Sequence, residues 1–122
     1  MILKSILNNL LIVEDNPFIG KKIFNAAKEV SGIEHIYITE SLQEATSFLN
    51  ETNFKLVILD LNLPDGNGIE LLKWLKEKKI ESKVFVFSAS TELKKICLKY
   101  GAFAFFDKAS DFDELIEALK KV

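Results

Sequence analysis

The sequence predicts an α/β domain, with a parallel five-stranded sheet covered by helices on both faces. Three observations predict it. Short apolar runs of strand length alternate with segments of helical period along the 122 residues, helix caps and glycines fall at the changeovers, and the connections are short. A chain of this length builds one domain.

The five predicted strands are Leu10–Val13, Ile36–Thr39, Leu56–Leu59, Val84–Phe87 and Ala102–Phe106. Each is continuously apolar and rich in β-branched or aromatic residues, the pattern of a strand covered on both faces. After the first strand, Asn16 and Pro17 supply an N-cap and a first-turn proline. Ile19, Ile23, Ala26, Ala27 and Val30 then share a helix face, and Gly32 suits a left-handed exit after Ser31. Ser41 with Glu44 forms a capping-box pattern ahead of the second helix. A third helix follows the third strand and carries Trp74, read as packing. Leu93, Ile96, Cys97 and Tyr100 form the stripe of the fourth helix, which Gly101 ends. Ser110 with Asp111 and Asp113 suits the start of a fifth, whose stripe is Phe112, Leu115, Ile116, Leu119 and Val122. Right-handed crossovers between such units give a doubly wound flavodoxin-like (βα)5 sandwich with strand order 2-1-3-4-5.

Composition excludes several functions. Sixteen basic residues, all lysine, against eighteen acidic ones give a formal charge of −2. Without arginine forks or a basic surplus, direct nucleic-acid binding by this chain is not expected. One cysteine, Cys97, and one histidine, His35, exclude a zinc cluster and an internal disulfide. Cys97 reads as a small buried thiol, and His35 as solvent-facing. The apolar runs fall well short of the ~20 residues of a membrane span. Met1 to Leu11 lacks the pattern of a signal peptide, so a cytoplasmic protein with no membrane association is expected.

In open parallel sheets chemistry gathers at the carboxyl ends of the strands. Strand one there ends in Glu14-Asp15, strand three in Asp60, strand four in Ser88 and strand five leads to Lys108. Three carboxylates in one crevice would repel one another and raise at least one pKa. Oxygen ligands in this number, with no thiolate or imidazole, favour a hard divalent cation such as Mg²⁺. Lys108 is suited to grip one phosphoryl oxygen.

From about Leu10 to the C-terminus the chain resembles the receiver domain of two-component response regulators. The resemblance rests on Glu14-Asp15 after an apolar strand, on Asp60-Leu61-Asn62-Leu63-Pro64-Asp65-Gly66, on Ser88, and on Gly101-Ala102 leading to Phe105 and Lys108. It implies phosphoryl transfer from a sensor histidine kinase or phosphotransfer protein onto Asp60, the phosphoacceptor. Asp15, Asp60 and the carbonyl of Asn62 would bind Mg²⁺ directly, and Glu14 through a water. Lys108, Ser88 and the amides of Asn62 and Ala89 would hold the phosphoryl oxygens. Phe105 would be the switch aromatic, turning inward on phosphorylation and remodelling the face of helix four, strand five and helix five for a downstream protein partner. It lacks a hydroxyl, so its two states would differ by packing alone. One departure is Ala109, where the family usually carries a cis proline after the lysine. A cis bond there costs roughly 3 kcal/mol, so trans is expected.

Two enzymatic readings fit less well. A flavin carrier needs a phosphate loop where this chain has Glu14-Asp15, and a haloacid-dehalogenase-type phosphatase needs an acid where it has Asn62. The main alternative is a pseudo-receiver, an interaction module regulated without phosphorylation. Residues 1–122 are expected to form one receiver domain with no output domain in this chain, either as a single-domain regulator or as part of a longer one. A free-standing regulator would signal by docking or relay, and turnover of substrate as an enzyme is not expected. Phe103-Ala104-Phe105-Phe106 lacks the acidic residues of the winged-helix subfamily's dimer. Phe103, with Tyr100 and the fringe of Lys94, Lys95 and Lys99, is expected to form part of a partner surface.

Overall fold

Five strands, β1 (Asn8–Val13), β2 (Ile33–Thr39), β3 (Leu56–Leu59), β4 (Lys83–Ser88) and β5 (Ala104–Asp107), pair in parallel in a computed structural model that describes residues 8–122. Their order is β2-β1-β3-β4-β5, as the sequence predicts. Helices α1 (Pro17–Ala27), α2 (Leu42–Glu51), α3 (Ile69–Lys78), α4 (Lys94–Lys99) and α5 (Phe112–Lys120) complete the alternation. Of the stretch Met1 to Leu11, whose reading is given above, residues 1–7 lie outside the described residues. Among the described residues no helix is long and apolar enough to cross a membrane.

The central strands are apolar at every position because both faces are covered. Leu11, Val13, Val57, Leu59, Val84 and Val86 pack with Ala45, Leu49, Leu71, Leu75 and Cys97 of α2, α3 and α4. The alternate residues Leu10, Ile12, Leu56, Ile58, Phe85 and Phe87 pack with Ile23, Ala27, Leu115 and Leu119 of α1 and α5. Each Val, Leu, Ile and Phe among them contributes about 1.5–3 kcal/mol on leaving water.

The edges depart from this pattern. Coverage on both faces does not extend to β2, where Tyr37 and Ile38 are exposed, or to β5, whose residues are all half-buried. An edge strand has a neighbour on one side only, and the helices lie over the middle of the sheet. His35 faces solvent within β2.

Helix ends also refine the expectation. α1 stops at Ala27; Gly32 has its positive φ of 94°, but in a turn beyond the helix. Asn16 caps α1, its Oδ1 accepting from Phe18 N at 2.9 Å and Ile19 N at 3.2 Å. Just past α4, Gly101 (φ 99°) turns the chain, with Ala102 N donating to Cys97 O at 3.0 Å and Gly101 N to Leu98 O at 3.1 Å. The stripe of α4 is narrower than predicted, for Ile96 is exposed while Leu93, Cys97 and Tyr100 face inward. Val122 lies beyond α5 and is exposed. Ser110 does not cap α5. Its hydroxyl donates to Asp111, whose other carboxylate oxygen accepts from Asp107 N at 2.9 Å, leaving the helix without a side-chain cap.

Candidate functional site

Backbone pairing carries the strand ends to a common level. Glu14 N donates to Thr39 O at 2.9 Å, Asp60 N to Val13 O at 3.0 Å, and Lys108 N to Ser88 O at 3.0 Å. The ladder therefore continues one residue past β1, β3 and β5. Those residues are Glu14, Asp60 and Lys108, so the sheet itself delivers two carboxylates and an ammonium to one place.

Their side chains meet there. Lys108 Nζ donates to Glu14 Oε1 at 2.8 Å and to Asp60 Oδ2 at 3.1 Å. The second oxygen of Glu14 accepts from Asn16 N at 3.1 Å, and Asp60 Oδ1 accepts from Asn62 N at 3.3 Å. Glu14 and Asp60 are only 2% and 4% exposed, whereas Asp15 stands open to solvent. One carboxylate oxygen from each of Glu14, Asp15 and Asp60 lies within 4.8 Å of the others. Burial pushes the Glu14 carboxyl above the usual carboxylate range, against the pull of its hydrogen bonds from Lys108 and Asn16. Burial works against the Lys108 ammonium too, but the hydrogen bonds to Glu14 and Asp60 outweigh it and hold this lysine above its ordinary value.

Three carboxylates against one ammonium leave the cluster with a formal charge of −2. One divalent cation matches that charge, and a donor set made only of oxygen suits a hard ion. The residues fit a cation of this kind.

The other predicted residues line the same end of the sheet. Ser88 is buried at the end of β4, and its Oγ accepts from Ser90 N at 3.1 Å. Ala89 is exposed beside it. Asn62 is exposed, and its side-chain amide reaches Ser90 Oγ at 3.4 Å, joining the loops after β3 and β4. Phe105, opposite Val86 in the register, is half-buried against the cluster containing Cys97 and Ala102. Lys108 needs no proline to hold it. The described residues contain no cis peptide bond, and Asp107 Oδ1 accepts from Ala109 N at 2.9 Å, closing a turn around the lysine.

Sequence reasoning gave no role to three residues that shape the site, although Asp65 stands within the motif quoted above. Asp65 reaches across to α2, accepting from Leu42 N at 2.8 Å and from Gln43 N at 3.0 Å. These two bonds hold its carboxyl below the usual range. With Ser41 Oγ accepting from Glu44 N at 3.1 Å, the first three amides of α2 are satisfied, two of them from a distant loop. Glu44 itself turns back to Glu40 N at 2.8 Å, one residue beyond the usual capping box. Asn67 Oδ1 accepts from Ile69 N at 2.9 Å at the start of α3. Gly68 lies under the site, where a Cβ would stand 2.7 Å from the carbonyl oxygen of Asp60. The only advance signal was the Asp-Gly-Asn-Gly composition of the turn, which marks a turn without naming its partners.

The family described as the response regulator receiver domain matches residues 10–120. The transcriptional regulatory protein MalR of Bacillus subtilis is 35% identical over 113 residues, covering 91% of this chain and 48% of that protein. The cell cycle response regulator CtrA of Brucella ovis is 30% identical over 115 residues, covering 93% of this chain and 49% of its own length. This chain thus spans about half the length of the curated relatives it matches. The receiver domain of the Francisella response regulator 1452 superposes with a TM-score of 0.82 at 30% identity, over 93% of this chain and 97% of that one.

Proposed function

The chain belongs to the receiver domains of response regulators, and from that premise we propose that Asp60 is its phosphoacceptor. The observation that carries this reading is the setting of Asp60. Its buried carboxylate lies between Lys108 Nζ at 3.1 Å and Asn62 N at 3.3 Å, with Glu14 and Asp15 alongside.

In the reaction an Asp60 oxygen attacks the phosphorus of a phosphohistidine on a sensor histidine kinase or phosphotransfer protein. A P–O bond forms, the P–N bond breaks, and the imidazole leaves with the electron pair and takes up a proton. Asp15, Asp60 and the Asn62 carbonyl, with Glu14 behind them, would hold Mg²⁺, which when bound offsets negative charge on the transferring group. Lys108 is already beside Asp60 and exchanges a carboxylate oxygen for a phosphoryl one. Ser88 and the amides of Asn62 and Ala89 supply the remaining donors. Such a transfer depends on positioning and charge neutralisation, and no histidine of this chain is required.

The output is read on the face of α4, β5 and α5 by a downstream protein, with half-buried Phe105 as the switch. Phe103, 55% exposed, belongs to that partner surface, its ring 5.4 Å from Phe85 and 4.8 Å from Lys83 Nζ. Residues 1–122 act as one receiver unit in the cytoplasm, where the kinase delivers its phosphoryl group.

The test is incubation of the purified protein with a small-molecule phosphodonor, with and without Mg²⁺, read by intact mass beside Asp60→Asn. A Mg²⁺-dependent gain of one phosphoryl group, lost in the variant, is expected. A folded wild type left unmodified would favour the pseudo-receiver, regulated by binding alone.

A further inference from the structure

We propose that Asp65 is a positioning residue for phosphoryl transfer, clamping the Asp60–Gly68 loop to the first turn of α2; this rests on the reading of Asp60 as phosphoacceptor. The loop has to hold its shape, because the Asn62 amide donates to Asp60 Oδ1 at 3.3 Å and, on the proposed reading, the Asn62 carbonyl would help hold the cation. Its own internal pairing is slight. Asn62 pairs with Asn67 and Leu63 with Gly66 in a two-rung hairpin, and Gly68 N donates to Leu61 O at 2.8 Å. The tip between those rungs, Pro64-Asp65, is exposed.

Asp65 ties that tip to a rigid element. Both its oxygens are used, on Leu42 N at 2.8 Å and Gln43 N at 3.0 Å, amides that have no partner within the helix. Gly66 lies beside Leu42 of the same helix and Glu70 of α3, a Cβ there standing 2.9 Å from Leu42 Cδ1 and 3.0 Å from Glu70 Oε2. The clamp is thus polar, made by the two amides of the first turn of α2. From α2 the restraint passes through Asp65 and the hairpin to Asn62, whose amide contacts Asp60. Ser41, at the same helix end, accepts from Glu44 N with its hydroxyl and from Ala45 N with its carbonyl, both within α2, and its side chain makes no hydrogen bond to the loop. The two residues therefore separate helix stability from loop position.

Trp74, the only tryptophan, reports on the junction. With Leu42, Thr46, Glu70 and Leu71 it lines a cleft of about 150 Å³ between α2 and α3.

The experiment compares wild type, Asp65→Ala, Asp65→Asn and Ser41→Ala. Three readouts are amide hydrogen exchange at Asn62 and Gly68 without metal, Trp74 emission, and the rate of Mg²⁺-dependent phosphorylation by a small-molecule donor. In Asp65→Ala, exchange at both amides should accelerate, Trp74 emission should shift, and phosphorylation should slow on the order of tenfold. Asp65→Asn, which keeps one acceptor, should fall between. Ser41→Ala should leave loop exchange and rate near wild type even where it lowers thermal stability. Equal exchange and equal rates in Asp65→Ala and Ser41→Ala would overturn the proposal. A wild type that is not phosphorylated would overturn the reading of Asp60, while the exchange difference would still establish the clamp.

Discussion

Gly68→Ala should destabilise the fold although it replaces glycine at the entrance of a helix. The backbone there is ordinary, with φ −59° and ψ −18°, so alanine adopts it without torsional strain. On backbone entropy alone the change would stabilise by about 0.4–1 kcal/mol. Sterics oppose this. The new Cβ would lie 2.7 Å from Asp60 O, 3.0 Å from Leu61 Cα and 3.1 Å from Leu61 Cδ2, where ordinary contact begins at 3.4 Å. Two of those atoms are backbone and cannot rotate away, and Leu61 is itself buried. Overpacking of this kind costs about 1–3 kcal/mol, so the net loss should be about 1–2 kcal/mol. For a chain of 122 residues that lowers Tm by about 4–8 °C. Relief of the contact moves the Asp60 carbonyl, so phosphorylation should slow as well. Thermal unfolding by circular dichroism, with the donor assay alongside, measures both. Gly20→Ala is the control, for its Cβ would meet nothing nearer than Ile38 Cγ2 at 3.6 Å and should be neutral or stabilising. A Gly68→Ala protein that melts at or above the wild-type temperature would refute the reasoning and show that the loop has slack.

Removing the ammonium that joins Glu14 and Asp60 in Lys108→Ala should cost about 2–3 kcal/mol in metal-free urea unfolding at neutral pH, below the figure for a fully buried pair because the lysine is 18% exposed. Because the folded pKa of Lys108 is raised, its contribution is complete below the ordinary lysine value of about 10.4 and is lost as pH rises through the folded value. The gap between wild type and variant should therefore close at strongly alkaline pH, and an unchanged urea midpoint at neutral pH would contradict it. Asp65 has the opposite sign. Its folded pKa is lowered, so its contribution is present above the ordinary aspartate value of about 3.9 and is lost as pH falls through the folded value. The stability difference between wild type and Asp65→Asn should shrink over that acidic range in a pH series of urea midpoints, and a constant difference would count against the capping role.

The fold was legible because its central strands are buried on both faces. Leu10–Val13 and Leu56–Leu59 are apolar at every position, short runs bounded by turn signals as a strand covered on both faces requires, and they pair as neighbours. The site was legible for a related reason. Residues one step past neighbouring parallel strands share a level, which brings Glu14 and Asp60 together, and the long side chain of Lys108 reaches them from beyond β4. Composition also narrowed the chemistry: with one cysteine, one histidine and no arginine, a thiolate or imidazole cluster and a guanidinium fork were excluded from the site.

Other features depend on partners far away in sequence, which local pattern cannot specify. The exposure of Tyr37 and Ile38 follows from β2 lying at an edge, and the same apolar run in the middle of the sheet would be buried. Asp111 was read with Ser110 as a helix start, yet its carboxylate is taken by the amide of Asp107. Asp65 stood in the sequence only as part of the motif after β3, and only the approach of α2 turns it into the cap of another helix. The sequence by itself determined which groups meet and on which end of the sheet, because burial and periodicity act along the chain. Tertiary structure decided how those groups divide their hydrogen bonds, because an unpaired amide or carboxylate takes whichever partner the fold brings nearest.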